Sequence, residues 1–219
     1  MLVSDIPYSN IPFVTIENTI GEIKAEMQKY SLLHLPVISD EKVYGIVSLD
    51  MLKDLQPNTP IHEIHNQLIE VQVFAHHHLF SVLKIASLHN LSLVPVVNDN
   101  NEYLGSILQS NLINILAIYL DAEKSGGIIV LEMVKHDFSF GELCRLVETN
   151  DAYITQLNSF IEPLSGLLLV TIKVNKTEIS DILATLQRYD YNIKYYFGEE
   201  NYENELKENY ENLMIYLNV

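Results

Sequence analysis

One stretch of this chain is written twice, and that doubling constrains the fold more than any other feature of the sequence. "LHLPVISDEKVYGIVSLDMLKDL" (33–55) lies over "SLVPVVNDNNEYLGSILQSNLINIL" (92–116). Pro36 matches Pro95, Val37 matches Val96, Asp40 matches Asp99, Gly45 matches Gly105 and Leu52 matches Leu112. Upstream, Ile20, Ile23, Met27 and Leu32 lie over Leu79, Val82, Ala86 and Leu91. The offset is 59 residues before the polar turn and 60 after it, because the second turn is one residue longer.

Each copy has the same grammar. Ile20, Ile23, Met27 and Tyr30 are spaced as one face of a helix, with Thr19 and Glu22 as a capping box at its start. Leu79, Val82, Ile85 and Ala86 repeat that face. The strands "PVIS" and "YGIVS" flank the turn "DEK", and "PVVN" and "YLGSIL" flank "DNN". A closing helix is expected at "DMLKDL" and at "NLINILAIYL". The order is strand–helix–strand–strand–helix, twice. Each unit alone leaves an apolar sheet half covered, so the two are expected to pack on each other over 1–122, repeat one at about 1–58 and repeat two at about 59–122.

Charge narrows the partners. The net charge is −16, residues 1–122 carry five lysines and no arginine, and 199–219 holds six Glu against one Lys. Binding a phosphate backbone or an anionic membrane surface needs clustered cations, so neither nucleic acid nor membrane is expected as a partner. The single Cys144 leaves no internal disulfide framework and fits a reducing compartment. The opening "MLVSDIPYSN" has neither a basic nor an apolar leader region. The apolar run "LINILAIYL" (112–120) is about half of the roughly 20 residues that span a bilayer. A cytoplasmic location is expected.

The doubled unit resembles a pair of CBS (cystathionine-β-synthase) domains, whose pattern is an apolar strand, "LPV", a polar turn and "GIVT-x-x-D". The resemblance implies one compact module with two clefts, dimerisation, and an adenosine nucleotide (AMP, ATP or S-adenosylmethionine) as ligand. In that pattern a Thr or Ser three positions after the Gly, and an Asp three further on, hold the ribose hydroxyls. Here Ser48 fills the first place and Met51 the second, with Asp50 one residue early; the second copy has Leu108 and Asn111. The resemblance thus implies Ser48, Asp50 and Asn111 as ligand-binding residues, with fewer ionised acceptors than the pattern supplies.

After the polar linker "DAEKSGG" (121–127) the pattern changes. "GIIVLEMV" (127–134), "AYITQLNSFI" (152–161), "LLLVTIKV" (167–174) and "NIKYYF" (192–197) read as strands. Ser139 and Glu142 form a second capping box before a helix with Leu143, Leu146 and Val147 on one face. Thr177 is expected to cap another with Ile179, Ile182, Leu183 and Leu186 inward. The order over 126–198 is βαββαβ, a ferredoxin-like split unit with helices on one face of an antiparallel sheet. This segment resembles an ACT domain, a regulatory fold that binds amino acids at the turn into its first helix. The resemblance implies a site at Asp137, Ser139 and Gly141 in "HDFSFGEL". The acidic tail 199–219, with Leu206, Tyr210, Leu213 and Leu217 on one face, reads as a docking helix.

The fold expected is therefore α+β/α/β: a tandem CBS pair of β-α-β-β-α repeats, then a βαββαβ ACT domain. This layout is similar to that of stand-alone bacterial CBS–ACT proteins related to acetoin-utilisation protein B. It implies a non-catalytic regulator that senses a small molecule through a homodimer. The alternative is a structural adaptor for a protein partner, with degenerate ligand sites. No catalytic residues and no metal are expected. His76, His77 and His78 match the turn Glu17, Asn18 and Thr19, and in extended chain only His76 and His78 could converge. His62 and His65 in "PIHEIH" read as surface, and Cys144 beside Leu143 and Val147 reads as a structural thiol. G-x-S-x-G, P-loop and G-x-G-x-x-G patterns are absent from the sequence.

Overall fold

The computed structural model describes residues 1–9 and 11–198, so the expected helix at 199–219 lies outside the described residues. The chain divides into two compact units, Met1–Leu116 and Ala117 onward.

In the first unit the repeat becomes two separate three-stranded sheets. β1 (Val14–Thr15), α1 (Ile20–Tyr30), β2 (His34–Ser39) and β3 (Lys42–Ser48) form one copy; β4 (Val73–Phe74), α2 (Leu79–Leu88), β5 (Leu93–Val97), β6 (Tyr103–Leu108) and α3 (Gln109–Tyr119) form the other. Sheet orders are β1-β2-β3 and β4-β5-β6, parallel in the first pair and antiparallel in the second. The register repeats with the sequence. Val14 faces Val37 as Val73 faces Val96, Val37 faces Gly45 as Val96 faces Gly105, and each hairpin shifts register one residue later. The first turn closes through Asp40 and Glu41, both at positive φ. The longer second turn is organised by Asn98, whose side-chain oxygen accepts from Asn100 N and Glu102 N, both at 2.9 Å.

The Thr19–Glu22 capping box forms as expected, with Thr19 Oγ1 accepting from Glu22 N and the Glu22 carboxylate accepting from Thr19 N. Ile20, Ile23 and Met27 are buried, but Tyr30 is half exposed, because the chain leaves the helix at Ser31 in a left-handed conformation. The segment "DMLKDL" does not form the expected helix. Residues 49–55 form successive turns, not a helix, with Leu52 alone buried to anchor them. The segment must double back so that the Pro57 and Thr59 carbonyls can accept from Gly21 N and Ile20 N. The matching segment of repeat two carries no such return and continues into α3.

A further feature has no counterpart in the linear repeat boundaries. Residues 1–9 fall within the expected bounds of repeat one but hydrogen-bond to repeat two: Val3 N to His77 O, Ser4 N to Ala75 O and Ser9 N to Ser106 O, with Leu79 N reaching back to Met1 O. Residues 59–69 fall within the expected bounds of repeat two but bond to repeat one: Ile61 N to Asn18 O, and Ile69 with Ile46 in both directions. A 3-10 turn in each segment buries a matched apolar pair, Val3 and Ile6 in one, Ile61 and Ile64 in the other. Each repeat is thus completed by the segment that leads into its twin.

The second unit contains β7 (Ile128–Met133), α4 (Phe140–Glu148), β8 (Ile154–Ile161), β9 (Leu168–Val174), α5 (Ser180–Arg188) and β10 (Ile193–Phe197). They form one antiparallel four-stranded sheet in the order β10-β7-β9-β8. Ile129, Leu131, Val170 and Ile172 meet Leu143, Leu146, Ile182 and Leu186 of the two helices in its core. Only half of the second capping box forms. Ser139 Oγ accepts from Glu142 N at 3.4 Å, whereas the Glu142 carboxylate accepts from Tyr191 Oη at 2.8 Å. Burial and that carboxylate push the Tyr191 phenol up to about 12. Thr177 does not cap α5, which starts at Ser180; there the Glu178 carboxylate accepts from Ser180 N at 3.1 Å.

β9 carries a buried charge. The Lys173 ammonium donates to the carbonyls of Asp121 and, at 2.7 Å, Lys124, pinning the segment after α3 to this sheet. Lys173→Met is expected to destabilise this unit by about 2 kcal/mol, since two acceptors lose a charged donor. Urea denaturation would read the loss as a lowered midpoint; an unchanged midpoint would mean that water replaces the ammonium without cost.

Candidate functional site

The two repeats face each other at the start of β2 and the residue before β5. Leu49 N donates to Leu33 O, and at the matching place Gln109 N donates to Ser92 O, both at 2.8 Å. His34 opens β2 opposite Ser48, the last residue of β3. Its ring crosses to the other repeat, where Nδ1 lies 3.2 Å from Ser92 N and 2.8 Å from Ser92 Oγ. A backbone N–H can only donate, so Nδ1 accepts and the proton of the neutral ring sits on Nε2. Burial holds the His34 imidazole below its ordinary value of 6.5, with the Asp50 carboxylate pulling weakly the other way.

Around this bridge lies a cleft of about 300 Å³. His34, Ser48, Asp50, Ser92 and Gln109 supply polar groups, and Leu33, Leu49 and Ile69 supply apolar walls. His89 and Asn90 also line it, and no Lys or Arg does. Ser48 Oγ accepts from Met51 N at 3.3 Å, and Asp50 is exposed and paired with Lys53 at 2.6 Å. That ammonium holds the Asp50 carboxyl below the usual carboxylate range.

The structure thus brings Ser48 and Asp50 into one cleft but places Asn111 elsewhere. Asn111 Nδ2 donates to Ser9 Oγ at 3.1 Å, beside the segment that Tyr8 and Ser9 lay over Gly105 and Ser106. In the second unit Asp137 ends an exposed 3-10 turn, Ser139 is the N-cap of α4, and Gly141 has open space around it. His34, Ser92 and Gln109 were missed by reading the sequence for motifs. A signal was available: the repeat alignment sets Ser92 over Leu33 and His34 over Leu93, an exchange of polar and apolar residues at the strand entrance.

The other histidines disperse. His76 Nδ1 pairs with Asp99 at 2.8 Å, and His78 Nδ1 accepts from Phe80 N at the start of α2. His62 and His65 are exposed, with His65 Nδ1 bonded to His62 O. Among the described residues no three His, Cys, Asp or Glu side chains gather as metal ligands, and no helix is long and apolar enough to cross a membrane. Cys144 is half-buried.

The lowered His34 value gives stability a pH dependence. As pH falls below 6.5 the unfolded chain takes up a proton that folded His34 resists, so stability declines until pH passes the lowered folded value. The stability advantage of the wild type over His34→Gln is therefore expected to shrink on acidification from about pH 8 to about pH 5. Chemical denaturation of both proteins across that range is the check. An advantage that grows toward acid would mean that folded His34 prefers its charged form.

Comparison with known proteins agrees with the architecture of the first unit. Residues 3–57 match the model of the CBS domain. The chain is similar to a CBS domain pair/ACT domain protein from Thermotoga maritima, 20% identical, with a TM-score of 0.50 over 55% of this chain and 99% of that one. It is also similar to a protein described as an acetoin utilization protein (AcuB) from Vibrio cholerae, 21% identical, TM-score 0.47, over 57% and 98%. A third similar structure is the CBS domain pair of protein MJ0100 in complex with 5′-methylthioadenosine and S-adenosyl-L-methionine, 24% identical, TM-score 0.45, over 54% and 98%. A search of curated proteins gives no match. The doubled unit has the fold of a CBS domain pair, and it is within this unit that residues 3–57 match the CBS domain model.

Proposed function

We propose that this chain is a non-catalytic regulatory protein whose CBS pair holds an adenosine-type small molecule in the cleft bridged by His34 and Ser92. The observation that carries this reading is convergence. Groups from both repeats, His34, Ser48 and Asp50 from one and Ser92 and Gln109 from the other, line a single crevice with apolar walls. A molecule seated there touches both repeats at once, so its binding free energy depends on how they are set against each other. That is the condition for a ligand to shift a conformational equilibrium. In this reading the molecule is a cytoplasmic bacterial homodimer, its domains run 1–122 and 126–198, and ligand occupancy biases the dimer.

The βαββαβ segment is, on the same reading, a ferredoxin-like ACT domain, with Asp137, Ser139 and Gly141 as its amino-acid site. Asn111 belongs to the second CBS cleft. Its bond to Ser9 and the apolar Leu108 favour a structural role there, which is the observation behind the adaptor alternative. Calorimetric and thermal-shift titration with AMP, ATP, S-adenosylmethionine and the twenty amino acids tests the sensor. A ligand at about one hundred times its dissociation constant raises stability by about 2.7 kcal/mol. Silence across the panel, together with a protein partner co-purifying without added metabolite, would replace the sensor by the adaptor.

A further inference from the structure

The charge lining the cleft deepens this reading by selecting among nucleosides. Residues 1–116 hold twelve carboxylates against five lysines and no arginine. Within the cleft the one fixed charge is Asp50; Lys53, which pairs with it, is not among the lining residues. A polyphosphate here would find only the Lys53 ammonium at the edge, already paired with Asp50, where several cations are needed to neutralise it. A neutral or cationic ligand meets no such penalty, and Asp50 offers acceptors for its hydroxyl or ammonium protons.

His34 supplies the complementary donor. Its Nδ1 is committed to Ser92, while Nε2 makes no hydrogen bond to the described residues. No buried side-chain polar atom among those residues lacks a partner, so Nε2 is accessible to solvent, and His34 lines the cleft. The backbone N–H of Ser92 fixes the tautomer, and the fixed tautomer presents a donor where a ring free to switch would present either.

We propose that His34 and Asp50 are specificity-determining residues that make the cleft select uncharged or cationic nucleosides over nucleoside polyphosphates, a proposal that rests on the ligand cleft assigned above. His34 Nε2–H donates to an acceptor of the ligand, and Asp50 accepts from the ligand and repels phosphate.

Titration of the full chain with adenosine, 5′-methylthioadenosine and ATP near neutral pH tests it. The two phosphate-free ligands are expected to bind roughly tenfold or more tighter than ATP, with the gap narrowing at high salt. Asp50→Asn, a change at an exposed side chain, is expected to narrow the gap roughly threefold by raising the affinity for ATP. His34→Phe is expected to weaken adenosine roughly tenfold. In the labelled wild type the Nε2 resonance of His34 should move on saturation, which keeps the assignment testable if the Phe variant fails to fold. ATP binding as tightly as adenosine would overturn the charge selection and leave the sensor standing. Adenosine binding with an unmoved His34 resonance would overturn the role of His34. Silence from all three ligands would overturn this proposal and the ligand cleft together.

Discussion

Replacing Val3 and Ile6 together by alanine will destabilise the first unit by about 4 kcal/mol, and hydrogen exchange will quicken in β4–β6 before it does in β1–β3. Both side chains are buried, at 0% and 3% exposure, so the substitutions remove apolar contacts as well as area. The two lie three residues apart on one turn, so their effects will not simply add. What makes the result informative is its location. Both residues fall within the expected bounds of repeat one, yet Val3 N, with Ser4 N and Ser9 N of the same segment, is bonded to His77, Ala75 and Ser106 of repeat two. The mirror experiment, Ile61→Ala with Ile64→Ala, removes side chains that pack with Val14, Ile20 and Leu35 of repeat one, and should loosen β1–β3 first. Loss of protection that follows sequence neighbourhood in both variants would refute the exchange.

The second large effect separates two glycines that the repeat makes equivalent. Gly105→Ala is expected to cost about 3 kcal/mol and Gly45→Ala about 1–2 kcal/mol. A Cβ at either position would come within 2.8 Å of another Cβ, that of Tyr8 over Gly105 and that of Leu68 over Gly45. The steric part is therefore shared. Gly105 alone sits at φ +147, a conformation that L side chains rarely adopt, and this adds backbone strain. The clash should loosen Tyr8 and Ser9 as well. Equal losses for the two variants, measured by denaturation, would show that the backbone at Gly105 relaxes without cost.

Much of the fold could be read from side-chain periodicity because the signals are local. Thr19 and Glu22 specify a helix start within four residues, and Pro36/Pro95 with Gly45/Gly105 fix the same hairpin twice. What could not be read depends on contacts made far along the chain. "DMLKDL" has a helical pattern, but Thr59 must return to Ile20, and that tertiary demand overrides local propensity. Glu142 suits a capping box, yet Tyr191 reaches its carboxylate first from 49 residues away. Tyr30 fits an apolar stripe that ends one turn earlier, at Met27. At the site, Ser48 and Asp50 could be found by their distance from Gly45. His34 and Ser92 belong to no motif and meet across 58 residues, through the pseudosymmetry of the two copies.

The most direct measurement is an NMR titration of the full, isotopically labelled chain with adenosine. If the crevice between the repeats is the sensing site, shifts should cluster on Leu33, His34, Ser48, Asp50, Ser92 and Gln109 and saturate together. Shifts confined to Asp137, Ser139 and Gly141, or no saturable shift anywhere, would contradict it.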